Sequence, residues 1–456
     1  MNAKSLTPGL LVAALLAAGA CDFNITNPNI PPIIGPNASP ERVAAAVAGV
    51  LVSQRADMGN WVLKSSILGR EGYRIDVADP RFITELLQGP LDPSNAAFGG
   101  GQWPVEYAAI RSGYDILNVL STAQLTTAQK NGVQGFVQTM QAFSYMIVLY
   151  AHTQDSIPVD VNHPVTDPPA PFVTNQAAWA HVASLLDSGA TALGAAGTSF
   201  SFPLPNGFAD FNTPATFLTF NRALLARADA YRASTFAAVG LYDSVLTALS
   251  ASFVDTLKSM DLGGYFDYGT GQGDISNALF QAAPSAIQVA RHDVYDSAEV
   301  KLDATKDNRV LGKITARGSQ ICGGSPSLCS TYSWIRYRSP TAPIPIIRNE
   351  ELVLLRAEAN NARTARDAAA AAADINAIRV RSGGLTAVVG LAAVSADSMK
   401  GMLLRELQYS LLFEGHRWVD LRRLGRATDI KIERPTKDQR FLTLPIPLFE
   451  TQPREP

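Results

Sequence analysis

The sequence predicts a mainly α-helical fold, a scaffold of helical hairpins joined by long irregular loops. Three observations carry this reading. Apolar side chains recur every three or four residues in several segments of helical length. Capping and breaking residues stand at the ends of those segments. The stretch 252–348, between two such hairpins, is instead rich in Gly, Asp, aromatic and turn residues. With 456 residues, 47% of them hydrophobic, there is ample material for a large core.

From the N-terminus, Lys4 precedes an apolar stretch over 9–20 that ends Ala18-Gly19-Ala20 before Cys21. About a dozen apolar residues are too few to span a membrane and suit a signal peptide. Small residues directly before a cysteine look like a lipobox, with Ala18 where Leu is usual, so Cys21 is expected to carry lipid; the alternative is ordinary secretion with Cys21 merely nearby. Residues 1–20 are then a signal peptide and 21–40 a tether kept extended by Pro28, Pro31, Pro32 and Pro36. A single domain is expected over 41–456. No later segment approaches the roughly 20 uninterrupted apolar residues of a membrane helix.

Ser39-Pro40-Glu41 reads as a helix start, with Ser39 as N-cap, Pro40 at the first helical position, and Val43, Val47 and Val50 inward. Over 103–120, Tyr107, Ile110, Tyr114 and Leu117 form a helical stripe. A second runs through Phe136, Met140, Phe143 and Ile147 and must end before Pro158. Residues 217–253 read as a helical hairpin in which Ala223, Ala226 and Ala230 allow close approach and Tyr231 and Tyr242 fill the space between. This is similar to a degenerate tetratricopeptide unit. A further hairpin covers 349–383: Asn349 is expected to cap its first helix, Glu350 and Glu351 suit the positive helix end, and Gly383 closes the second. Over 399–413, Leu403, Leu407 and Leu411 define one more apolar stripe, broken by Gly415. The run RWVDLRR that follows must bury Trp418 while keeping Arg417, Asp420, Arg422 and Arg423 paired or wet, which reads as a structural ion-pair and packing hub.

Net charge is −2, and no basic excess points to nucleic acid. Cys322 and Cys329 lie in CGGSPSLC, a stretch that folds back easily, and a disulfide there stabilises by roughly 2.5 kcal/mol in the chain-entropy model. Two cysteines without neighbouring histidines do not complete a tetrahedral metal shell, so neither a metal nor another cofactor is expected. The sequence contains no G-x-S-x-G elbow, phosphate-binding loop or H-E-x-x-H helix, and its five histidines are scattered. A non-enzymatic protein is the expectation.

The run FEGHRWVDLRRLG over 413–425, closed by FLTLPIP over 441–447, resembles the C-terminal signature of the SusD/RagB family of outer-membrane nutrient-binding lipoproteins. The helix through Trp103, Tyr107 and Asn118, the segment leading to Ile157-Pro158 and the hairpin over 350–383 resemble the same family, though Asp155-Ser156 replaces the Gly-Asp usual before that Ile-Pro. The resemblance implies a SusD-like α-α superhelix, a surface-facing lipid-anchored protein of the outer membrane, and capture of an oligosaccharide or other polymer fragment for a SusC-like TonB-dependent transporter. It implies ligand contacts on loops around 68–100 and 255–345, where flat rings would meet sugar faces. By location this nominates Tyr73, Arg74, Tyr265, Tyr268 and Trp334, each of which could equally anchor its own loop. Two other classes stay open: a periplasmic tetratricopeptide-like interaction scaffold, and a helical glycan hydrolase.

Overall fold

The computed structural model describes residues 34–95, 98–99, 101–153, 155–164, 166–282 and 286–454. The expected signal peptide, Cys21 and most of the expected tether therefore lie outside the described residues. Among the described residues, twelve α-helices of five or more residues position everything else: α1 Pro40–Leu68, α2 Pro104–Leu120, α3 Thr127–Ala151, α4 Asn175–Gly194, α5 Pro214–Thr235, α6 Leu241–Ser250, α7 His292–Asp296, α8 Asn308–Lys313, α9 Asn349–Ala362, α10 Ala368–Arg381, α11 Ala396–Ser410 and α12 Arg417–Arg423. α1 packs on α2, α2 on α3, α3 on α4, α4 on α5 and α5 on α6. The series continues through α6 to α9, which holds both α10 and α11. Consecutive antiparallel helices of this kind, each burying one face against the next, make the expected superhelical scaffold.

Local chemistry sets the boundaries. Ser39 accepts from the Arg42 N–H and Pro40 occupies the first turn of α1; Val43, Val47 and Val50 are buried. Thr126 and Gln129 form a reciprocal capping box at α3. Asn349 departs from expectation. It is the first helical residue of α9, and its side chain points away from the helix, bonding the backbone at Asp255 and Ser259. The free N–H groups of Asn349 and Glu350 are instead taken by the Leu262 and Met260 carbonyls, so no side-chain cap is required. At the end of α10 the left-handed residue is Gly384, with φ +65°, rather than Gly383.

The loop segments form a four-stranded antiparallel sheet in the order β1 (Gly72–Arg74), β5 (Gln288–Ala290), β7 (Leu328–Trp334), β6 (Ile314–Gly323). Two smaller pairs stand apart, β2 (Ile157–Pro158) with β3 (Phe172–Val173), and β4 (Gly263–Phe266) with β8 (Ile344–Arg348). β8 runs directly into α9, which ties the loop segment to the scaffold. Cys322 and Cys329 face each other across the β6–β7 hairpin and are joined by a disulfide.

The C-terminal run is the hub its composition suggests. Trp418 is fully buried, its indole N–H donates to the Phe441 carbonyl, and Arg422 lies 3.5 Å over its ring. Arg423 holds Glu358 of α9 through two bonds of 2.6 and 2.8 Å and Asp420 through a third. Gly415 sits at φ +90° against Trp61, whose indole nitrogen is 2.8 Å from where a Cβ would stand. Both facts require glycine there. No helix among the described residues is long and apolar enough to cross a membrane.

Candidate functional site

An open aromatic surface forms where α7 meets β7. The rings of Tyr295 and Tyr332 stack with centroids 4.3 Å apart and planes 28° from parallel, and both side chains are half-buried. The His292 ring stands edge-on to Tyr332 at 5.1 Å, and its Nε2 accepts from the Thr331 N–H at 3.2 Å. The Tyr332 hydroxyl donates to Asp296 at 3.3 Å; partial burial and that carboxylate both raise its pKa, so it stays a donor at neutral pH. Lys306 lies 5.8 Å from the Tyr295 centroid, held by the Asp296 and Ala298 carbonyls. Among these groups are rings with an apolar face, a carboxylate, an ammonium and an imidazole, the mixture that stacks on a sugar ring and bonds its hydroxyls.

Two devices set this surface. Arg291, 4% exposed, fixes the start of α7 by donating to the Lys431 carbonyl and pairing with Asp293 and Glu433. In β7, Ser330 donates to the Ala290 carbonyl and accepts from the Tyr332 N–H, while partner strand β6 breaks register between Ala316 and Ile321. The irregularity ends at Tyr332, from which the pairing runs evenly to Trp334; Tyr332 meets Tyr295 of α7, while Trp334, two residues on, stacks on Phe413 in the core.

Of the residues nominated from sequence, three are corrected. Tyr73 is 2% exposed, a member of β1 paired with Val289. Tyr268 is 8% exposed and donates to the Arg55 carbonyl. Trp334 is 5% exposed and stacks on Phe413 at 4.1 Å. Each ring is consumed by packing and offers no free face to a ligand. Tyr265 is half-buried, donates to the Asp261 carbonyl, and lines an apolar cavity of about 300 Å³ with Val47, Leu51 and Phe208. Arg74 is half-buried, bonds Asp76 at 2.8 Å and covers the Phe82 ring. The five do not converge: Tyr73, Arg74 and Trp334 belong to the four-stranded sheet, Tyr265 to the β4–β8 pair and Tyr268 to the loop after it. Tyr295 escaped notice because a five-residue helix carries no readable period. Tyr332 was visible in the STYSW run, but alternation alone could not say which ring of that run faces out.

A cavity of about 530 Å³ lies within the helical scaffold, walled by Trp179, Tyr231 and Tyr242. Among the charges lining it, Arg423 and Glu358 are paired with each other and Arg422 is taken by the Tyr150 and Leu442 carbonyls. Among the described residues no cluster of His, Cys, Asp and Glu could hold a metal ion.

Residues 328–440, from the start of β7 through the hub, match the model of the SusD family. Solved structures of the same fold include a SusD superfamily protein from Bacteroides vulgatus, 15% identical over 91% of this chain and 97% of that one, with a TM-score of 0.66. The chain has the SusD-like fold, and its segment 328–440 resembles the SusD family. A SusD-like carbohydrate-binding protein from Bacteroides fragilis shares 16% identity over 91% of this chain and 98% of its own, with a TM-score of 0.67. A laminarin-binding SusD-like protein shares 15% over 91% and 98%, at a TM-score of 0.58. No curated relative matches the sequence. The matched segment contains Tyr332 and the hub but neither α7 nor the helices before β7, whereas the fold likeness spans 91% of the chain.

Proposed function

We propose that this protein captures an oligosaccharide at the Tyr295–Tyr332 surface and passes it to a SusC-like TonB-dependent transporter. The observation that carries the reading is the stacked, half-exposed tyrosine pair flanked by Asp296, Lys306 and His292. It stands on the loop side of a scaffold shared with a laminarin-binding protein and with a carbohydrate-binding one. Arg74 and Tyr265, the nominated residues that keep an accessible face, are further candidate contacts. Binding needs no covalent step, and the protein acts as a receptor, not an enzyme. Signal peptide 1–20, lipid on Cys21 and a proline-stiffened tether over 21–40 would hold the domain 41–456 at the outer face of the outer membrane.

The test is isothermal titration with a panel of neutral soluble oligosaccharides against the wild-type chain and Tyr332→Ala. Saturable binding that the substitution weakens supports the reading, as does co-purification of a TonB-dependent barrel from solubilised outer membranes. Binding indifferent to Tyr332 overturns the site. Protection of the protein from protease added to intact cells overturns the surface location and favours a periplasmic scaffold.

A further inference from the structure

Between α8, the end of β7, the start of α9 and the end of α10 lies a second cavity, about 440 Å³ in volume, with polar walls and no aromatic lining. Five cationic side chains face it, Arg309, Lys313, Arg336, Arg348 and Arg381, against three carboxylates, Asp261, Glu350 and Glu414. Arg309 is neutralised from behind by Asp307 and Glu406, at 2.6 and 2.7 Å. Of the three carboxylates, Asp261 is 82% exposed at the rim and 3.8 Å from Arg348. Glu350 is taken by Arg348 and Ser410. Glu414 is shared by Lys313, Arg336 and Arg348 at 2.9 to 3.2 Å. Burial alone would raise the pKa of Glu414, yet those three cations hold it well below the carboxylate range, so it is ionised and saturated.

The surplus positive charge therefore sits at the mouth. Among the described residues Arg336 spends only its Nε–H, on Glu414, and its Nη groups have no hydrogen-bond partner. Arg381 is exposed and bonds two backbone carbonyls, of Leu257 and Lys258, through one Nη. Arg338 joins the rim through the Gly312 carbonyl. Neither Arg381 nor Arg338 has a carboxylate partner among the described residues. A planar guanidinium with free N–H groups beside a recess matches a carboxylate through paired, charge-assisted bonds. The absence of rings removes stacking as a means of recognition.

We propose that this cavity is an oxyanion site that takes the carboxylate of a sugar acid. The sugar part rests on the nutrient-capture reading above; the anion part rests on the cavity and its charges alone. The test is titration of the full mature chain with D-glucuronate and, in parallel, with D-glucose and inorganic sulfate. Expected are saturable binding of glucuronate, none of glucose at the same concentration, and steep weakening with added salt. Arg336→Gln and Arg381→Gln should each weaken glucuronate by about tenfold or more. Arg381 lies at the surface, so its substitution spares the fold even if Arg336→Gln disturbs the Glu414 network. Equal binding of glucose and glucuronate, no binding of glucuronate, or indifference to both substitutions overturns the oxyanion site. Sulfate binding as tightly as glucuronate overturns the sugar-acid assignment. Failure of the tyrosine surface registers separately, as neutral oligosaccharide binding that survives Tyr332→Ala.

Discussion

Arg227 on α5 and Glu351 on α9 lock the two halves of the scaffold together, and removing one partner should cost far more than removing both. Nε donates to one carboxylate oxygen at 2.6 Å, Nη2 to the other at 2.5 Å, and Nη2 also bonds the Ile346 carbonyl at 2.7 Å. The two side chains are 2% and 3% exposed. Arg227→Met leaves a buried carboxylate without its cation, which costs about 3–5 kcal/mol, a large share of the roughly 5–15 kcal/mol that holds a typical domain folded. Glu351 has one reserve partner, His416, whose Nε2 is 3.9 Å away. Burial depresses the His416 pKa, Glu351 raises it and Arg227 lowers it again. Deleting Arg227 removes that last opposition, so His416 takes a proton more readily and the deficit of the variant should be smaller near pH 6 than near pH 8. In the double variant Arg227→Met/Glu351→Leu no charge is stranded; the unpaired Ile346 carbonyl leaves a deficit of about 1–3 kcal/mol. The assay is urea denaturation of the mature chain at both pH values. A loss under about 1 kcal/mol in Arg227→Met, the range of a surface pair, or a double variant no better than the single, would refute the argument.

Tyr332→Ala should weaken neutral oligosaccharide binding by about tenfold, equivalent to ~1.4 kcal/mol, with Tyr332→Phe retaining most of it, measured by titration calorimetry. Glu71 is buried against the Phe413 N–H, and burial pushes its carboxyl up to about 7 from 4.5. A raised folded pKa means that its contribution is complete below pH 4.5 and is lost as pH rises through 7, roughly 3 kcal/mol in all. Glu71→Gln, which keeps the acceptor and cannot ionise, should therefore gain about that much on wild type between those pH values in chemical denaturation; a flat difference would contradict the burial argument. Replacing Cys322 and Cys329 by Ser opens a loop with a sequence separation of 7 and should cost about 2.5 kcal/mol, read as a lower denaturation midpoint that reduction of the wild type reproduces.

The helices read from sequence, α1 to α3, α5, α6 and α9 to α12, were legible because each carries its own signal; α4, α7 and α8 were not read. Val43, Val47 and Val50 recur within one element, and Ser39 and Pro40 mark its start without reference to anything distant. Trp418 among four charges announced a buried hub for the same reason: that combination is tolerable only when indole and charges are both satisfied. The sheet was not legible. β1 and β5 are three residues each, too short to show a period of two, and they pair across more than two hundred residues of chain. Tyr73 therefore looked like a loop residue with a free ring, although its neighbour Val289 closes it into the core. Asn349 shows the same limit in reverse. It has the right type and place for a cap, yet tertiary carbonyls satisfy the helix end and release its side chain for another task. Where a residue's fate depends on a partner far along the chain, local pattern describes only what it could do.

α9 gathers those distant partners into one element. Glu350 reaches Arg348 and Ser410, Glu351 reaches Arg227 on α5, and Glu358 reaches Arg423 on α12. Three buried carboxylates on one helix thus index three separate parts of the fold. Because desolvation offsets much of the attraction in such pairs, their main effect is geometric: a carboxylate on α9 that slipped by one turn would leave the arginine it holds. β8 enters α9 directly, and Arg348 at that junction also grips Glu414 beside Phe413, on which Trp334 of β7 stacks. The same strand carries Tyr332 two residues earlier. Rigidity is therefore transmitted from the helical scaffold through α9 and Phe413 to the strand that presents the Tyr332 ring. A ring held in place before a ligand arrives costs less to immobilise on binding, which under the proposed function gives a physical reason for so many buried charges in the scaffold.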